Sequence, residues 1–283
     1  MEEKIRLRSV SVNIWRGEGP PSRGRSPLRR GEGGKGEPLF VLTGWNGTFP
    51  ENKEMLEALA RENFSVYGIE LPGTGKSDAP GKDWVFSDYV PLIDEILAYY
   101  GLSEGIILGH SFGCVAALKL ARYFPHRVKR LVISNPPILS PKNLWGVGVI
   151  FPLAFLLFTM LIALPCWLLS KVIPFKRGIF VRFVRRLGRQ YPYLTRSGGI
   201  MRKILSIVIS DDTIEDARNV KVPALIVGSE KGGITPLSNS LALHKALRGS
   251  DLVVIPGAPH DFTGVWAQKF SGIVRDWVMS KEL

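Results

Sequence analysis

The chain has 283 residues, of which 45% are hydrophobic, 22% charged and 10% aromatic, a composition that excludes a disordered, collagenous or disulfide-stapled protein. Two cysteines, Cys114 and Cys166, cannot build a disulfide framework and fit a reducing compartment, with a single bridge left open. The formal net charge of +12 points to an anionic partner, either nucleic acid or a membrane surface, and its placement along the chain separates the two.

Residues 1–8 are charged and carry no apolar stretch, so no secretory signal is read there and the expected address is the cytoplasm, with peripheral membrane attachment as an option. Residues 10–14 alternate apolar and polar side chains, as a strand does. Residues 17–36 then break into Gly, Pro, Ser and Arg, with five basic residues against Glu18 and Glu32. This reads as a flexible basic loop inserted in a hairpin, and no aromatic side chain is interleaved to stack on bases.

From residue 39 onward, short apolar runs alternate with stretches of helical spacing. The runs at 39–42, 64–69, 106–108, 131–133, 224–227 and 252–255 predict buried parallel strands. Helices are predicted over 52–61, 86–100, 112–123, 236–247 and 263–279. This alternation implies an α/β fold with a mostly parallel central sheet and flanking helices. Residues 137–212 interrupt it between two strands and read as an inserted helical cap, leaving 1–136 and 213–283 as the core.

The chemistry is expected at the carboxyl ends of the strands. Gly109-His110-Ser111-Phe112-Gly113 follows an apolar strand and opens a helix. Its glycines permit the sharp turn that projects a serine hydroxyl above the sheet, which makes Ser111 the candidate nucleophile, against a plain helix-capping role. A serine hydroxyl needs a base. Of the four histidines, His110 sits in the turn itself, His126 follows Pro125 at a helix end and His244 lies mid-helix. His260 follows the 252–255 strand through Pro256-Gly257-Ala258-Pro259, late in the chain, where the order nucleophile, acid, histidine expects the base. After the first central strand, Thr43-Gly44-Trp45-Asn46-Gly47 offers the Trp45 N–H to an oxyanion, together with the Phe112 N–H at the helix start. Residues 71–78 form a Gly-rich turn without the spacing of a phosphate-binding loop.

These pieces resemble the α/β-hydrolase fold superfamily, in its esterase, lipase and C–C hydrolase-like branch. The matching segments are Thr43-Gly44-Trp45, the turn at 71–78, the elbow at Ser111, the strand leading to Val227-Gly228, and Gly257 to His260. Thr43 stands where the superfamily's oxyanion loop usually has histidine. The resemblance also implies an aspartate shortly after Val227-Gly228, just ahead of a Thr-Pro. Here the text is Gly228-Ser229-Glu230-Lys231-Gly232-Gly233-Ile234-Thr235-Pro236, and Gly232 occupies that place. Glu230 is the first choice for a substitute acid, against a solvated loop carboxylate. Asn135 or a water are the other options. Loss of the third triad member costs about four orders of magnitude in rate, so weak or absent activity is an open outcome.

Most of the charge sits in the cap. Residues 137–210 hold eleven Lys or Arg and no Asp or Glu, the 17–36 loop adds +3, and the remainder carries a net −2. Residues 143–170 are uncharged, longer than the roughly 20 residues of a membrane span. A single crossing would separate strands of one sheet, so a lid, a re-entrant hairpin or an in-plane helix is expected. Arg182, Arg185, Arg186 and Arg189 then share one face of a helix whose other side carries Ile179, Phe183, Val184 and Leu187. That pattern suits an anionic membrane surface or a cap helix with solvated arginines. The sequence therefore predicts a lipase-like serine esterase acting on an apolar or lipid-like ester, without cofactor or metal, and with no nucleic-acid partner. The alternative is a catalytically weak or inactive homologue acting as a membrane-associated binding protein.

Overall fold

The computed structural model describes residues 1–8, 10–18, 36–44, 48–80, 84–138, 212–233 and 235–281. Met1–Ile138 and Asp212–Leu283 form one compact unit. Residues 19–35 of the predicted basic loop, Trp45, Cys166 and residues 139–211 of the predicted 137–212 cap, which hold its uncharged run and arginine-rich segment, lie outside the described residues.

Eight strands form one sheet in the order β1-β2-β4-β3-β5-β6-β7-β8. They are β1 (Glu2–Leu7), β2 (Val10–Glu18), β3 (Glu37–Leu42), β4 (Phe64–Glu70), β5 (Gly105–His110), β6 (Val128–Ser134), β7 (Ala224–Lys231) and β8 (Asp251–Pro259). Strand β2 runs antiparallel to both neighbours, and β4 through β8 pair in parallel with β3 among them. The helices are α1 (Phe49–Arg61), α2 (Phe86–Tyr99), α3 (Gly113–Tyr123), α4 (Thr213–Asn219), α5 (Leu237–Ala246) and α6 (Val265–Ser280).

The mostly parallel α/β sheet predicted from the alternating runs is what the chain adopts. Its central strands are buried on both faces, as every residue of β4 and β5 is. That explains why they read as continuous apolar runs rather than as alternation. Leu39 and Val41 of β3 and Ile106 and Leu108 of β5 share a core with Leu56 and Leu59 of α1 and Phe270 and Val274 of α6. The intervening Phe40, Leu42 and Ile107 are equally buried on the opposite side, where α3 packs against β3, β5 and β6.

Three features differ from expectation. The charged start of the chain is strand β1, an edge strand that buries only Ile5 among its six side chains, so its charges sit on a solvated edge and hide its period. The 17–36 segment does not close a hairpin, because β2 and β3 are separated by β4. Gly17 and Glu18 also extend β2 by pairing with Val66 and Ser65. Helix α4, unread in the sequence, is started by Asp212, whose carboxylate accepts from the Ile214 and Glu215 N–H groups.

Glu70, buried at the end of β4, holds the lower half of the sheet to its turns. Its carboxylate accepts from Asn13 Nδ2 at 2.9 Å, the Phe49 N–H at 2.8 Å and the Lys76 N–H at 2.6 Å. The Gly-rich turn wraps it so closely that a Cβ at Gly75 would lie 2.0 Å from Glu70 Cδ. This turn serves packing, which fits its lack of phosphate-loop spacing. Replacing Glu70 with alanine strands three donors, two of them buried, and urea unfolding should show a loss of about 3 kcal/mol.

Candidate active site

Ser111 lies between the end of β5 and the start of α3 with φ of 53°. A non-glycine residue held in this left-handed region stores about 1–2 kcal/mol, so the surroundings must enforce it. They do so through the flanking glycines. A Cβ at Gly109 would lie 2.6 Å from Cys114 Cα, and one at Gly113 would lie 2.1 Å from the Leu42 carbonyl oxygen. The Ser111 N–H donates to the Ser134 carbonyl at 2.8 Å, and the Cys114 N–H to the Ser111 carbonyl at 3.0 Å. The buried Cys114 thiol donates to the Gly109 and Ser134 carbonyls, and burial pushes it far above its ordinary range, so it stays an unreactive thiol.

The loop after β3 runs directly beside this turn. A Cβ at Gly44 would stand 3.0 Å from Ser111 Cβ and 3.5 Å from Ser111 Oγ. Thr43, where the superfamily's histidine was expected, donates its hydroxyl to the Ile69 carbonyl at 3.1 Å and is fully buried, which ties the loop to β4. Phe112 caps α3 with helical backbone angles and a buried ring. Of the two predicted oxyanion donors, Phe112 is therefore at the helix start beside Ser111, and Trp45 falls outside the described residues.

His260 follows β8 and meets the elbow through His110, their ring centroids lying 5.2 Å apart. His260 Nδ1 lies 2.9 Å from Thr235 Oγ1. A hydroxyl thus occupies the side of the ring where the resemblance called for a carboxylate. Burial, reinforced by the neighbouring His110, lowers the His260 pKa to about 4, with Asp261 pulling weakly the other way. His110 is itself buried, with Nδ1 3.2 Å from Ser134 Oγ and Nε2 3.5 Å from Asp261 Oδ1.

The two residues expected to substitute for the acid, Glu230 and Asn135, divide clearly. Glu230 is exposed, and its Oε2 accepts from the Gly257 N–H at 2.7 Å, so its carboxylate is spent on the backbone of the histidine loop while Thr235 faces the ring. Asn135, buried with φ of 49°, donates to the His260 carbonyl at 2.8 Å and to Ser229 Oγ at 2.9 Å, and accepts from the Ser229 N–H at 2.8 Å. It fixes the loop's backbone rather than the imidazole. Gly232 is packed so tightly that a Cβ there would lie 2.5 Å from the Thr235 carbonyl oxygen. Two residues absent from the predicted site are prominent here, Thr235 and Asp261. The Thr-Pro after Gly232 was the signal for the first, and adjacency to His260 for the second.

A family model described as alpha/beta hydrolase fold matches residues 37–160. The chain is 25% identical over 266 residues to the pimeloyl-[acyl-carrier protein] methyl ester esterase of Neisseria meningitidis, covering 85% of this chain and 92% of that protein. It is 29% identical over 114 residues to the bifunctional epoxide hydrolase 2 of Sus scrofa, covering 40% of this chain and only 20% of that protein. An uncharacterised Mycobacterium bovis protein matches at 24% identity over 77% of this chain and 66% of its own length. Among solved structures, a hydrolase from Pseudomonas aeruginosa superposes with a TM-score of 0.68 at 20% identity, covering 98% of each chain. The chain has the α/β-hydrolase fold and is similar to that superfamily over residues 37–160.

Two predictions follow from the geometry. Gly113→Ala should cost well over 3 kcal/mol, because its methyl group meets backbone, whereas Gly101→Ala, at φ +68 with open space around it, should cost only about 1–2 kcal/mol of backbone strain. Thermal unfolding separates the two. His260 is neutral when folded at pH values where the unfolded chain binds a proton, so its contribution to stability is present above about pH 6.5 and is lost as pH falls through about 4. The difference in urea midpoint between wild type and His260→Gln should therefore change across that window and level off above it.

Proposed function

We propose that the protein is a serine hydrolase of carboxylic esters, with Ser111 as nucleophile, His260 as base, and the Phe112 and Trp45 N–H groups as oxyanion donors. The observation that carries this reading is Ser111 itself, a non-glycine residue held at φ 53° between two glycines that tolerate no side chain. Such strain at the mouth of a sheet is retained where it serves a site. The similarity to a methyl ester esterase along most of both chains supports ester chemistry. In the proposed reaction Ser111 Oγ attacks the ester carbonyl and its proton passes to His260. The alcohol leaves as His260 returns that proton, and water then releases the acid by the same two steps.

Thr235 replaces the acid in this scheme. With Nδ1–H of His260 donated to Thr235 Oγ1, the tautomer is set and Nε2 is left as the basic atom. A hydroxyl carries no charge to stabilise the imidazolium, and the low His260 pKa makes it a weak base, so turnover should be slow. The apolar run at 143–170 favours an apolar or lipid-like acyl group, and the basic cap favours an anionic membrane surface as the place of action. Glu230 as acid would require it to leave Gly257.

A fluorophosphonate probe should label wild type and fail on Ser111→Ala, with hydrolysis of p-nitrophenyl esters lost in parallel. Absence of labelling and of turnover on both short and long esters would leave the catalytically silent binding protein as the surviving reading. The acid limb of kcat/KM should fall near pH 4 in wild type. Thr235→Asp places a carboxylate on His260 Nδ1, and should raise kcat by one to two orders of magnitude, part of the ~10⁴ that a triad acid supplies, while moving that limb toward neutrality. Gly232→Asp should not do so, because its Cβ collides with the Thr235 carbonyl.

A further inference from the structure

His110 and Asp261 have no assigned task in the ester reaction, yet they converge on His260. One ligand atom each from His110, His260 and Asp261 lies within 4.8 Å of the other two. The His110 Nε2 to Asp261 Oδ1 separation is 3.5 Å. Two ligands bound at about 2.0–2.1 Å to a tetrahedral zinc ion stand roughly 3.4 Å apart, so one edge of such a site already has its length. The third ligand needs to close by no more than about 1.4 Å on the same geometry.

The outer partners suit this role. His110 Nδ1 faces Ser134 Oγ at 3.2 Å, and His260 Nδ1 faces Thr235 Oγ1 at 2.9 Å. Each ring therefore keeps Nε2 as the nitrogen available to an ion, with the opposite nitrogen held by a hydroxyl, the arrangement that orients metal-binding imidazoles. The His110 ring is buried and lies against Phe262 at 5.9 Å, so packing fixes it. The Asp261 side chain is 75% exposed, which opens the group to solvent and gives an ion a way in. Two imidazoles and one carboxylate suit a borderline transition-metal ion such as Zn²⁺, and suit Ca²⁺ or Mg²⁺ poorly, since those ions take shells of oxygen.

We propose that His110, His260 and Asp261 form a reversible site for a Zn²⁺-class cation, with a fourth position open to water. The ion takes the His260 lone pair that Ser111 needs, so an occupied site is an inhibited enzyme. That inhibition rests on the serine-hydrolase reading, whereas the binding does not.

The test uses the full chain, stripped with a chelator and dialysed, with Co²⁺ as the visible probe and Zn²⁺ as competitor. The expected result is one Co²⁺ per chain with the bands of a tetrahedral site, displaced by Zn²⁺. Binding should weaken at least tenfold in Asp261→Asn, an exposed position whose substitution leaves packing untouched, and remain unchanged in Glu215→Gln on α4. Absence of stoichiometric binding, or equal binding by wild type and Asp261→Asn, overturns the site. Ester hydrolysis is measured on the same samples. Loss of turnover with Zn²⁺ and recovery with chelator support inhibition through His260. Binding that Asp261→Asn removes but that leaves turnover unchanged sustains the site and instead overturns His260 as the base.

Discussion

The candidate active-site end of the molecule depends on one backbone constraint, the turn that carries the chain from β5 into α3 within two residues. Ser111 adopts a left-handed conformation there, and the two glycines beside it leave no room for side chains against Cys114 and the Leu42 carbonyl. The constraint propagates outward. Gly113 lies against the end of β3, Gly44 lies against Ser111, and the Ser111 N–H is tied to Ser134 at the end of β6. The ends of β3 and β6 are thus referred to the turn that leaves β5, and a small displacement of either would be felt at the serine hydroxyl.

A second set of ties brings in the late part of the chain. Asn135 spans from β6 to Ser229 on β7 and to the carbonyl of His260, while Glu230 holds the Gly257 N–H of the same loop. The backbone around His260 is therefore held from both sides, and its ring is held by a neutral hydroxyl. Positioning and charge stabilisation, which one carboxylate commonly provides together, are separated here. Orientation survives, but the proposed base sits in a poorly solvated place beside a second imidazole, and the exposed Asp261 offsets its charge in part. Burial and the neighbouring imidazole favour the neutral form of His260, which both proposed roles, proton acceptance and metal ligation, require.

Much of the core was legible because parallel strands and their helices differ in period and length. The runs at 39–42, 64–69 and 106–108 needed both faces buried, and nothing but a central sheet accommodates that. Edge strand β1 was hidden because only Ile5 of its side chains is buried, so its charges follow no buried face. The connection between β2 and β3 was misread because adjacency in sequence says nothing of β4 coming between them. At the site, the G-x-S-x-G pattern disclosed Ser111 through a local steric need, and the position of His260 followed from strand order. Thr235 and Asp261 carried no comparable local mark.

By itself the sequence determined the α/β architecture, the glycine-flanked turn at Ser111, and the absence of an aspartate at Gly232, since each depends on a few consecutive residues. Only the tertiary structure decided which side chain faces His260 Nδ1. A carboxylate two residues along the strand turned to a backbone N–H, and a threonine beyond the turn reached the imidazole, because the bend at Gly232 packs against the Thr235 carbonyl and aims the chain at His260. Partners of an imidazole are set by distance and direction across loops 25 residues apart, which no local pattern encodes.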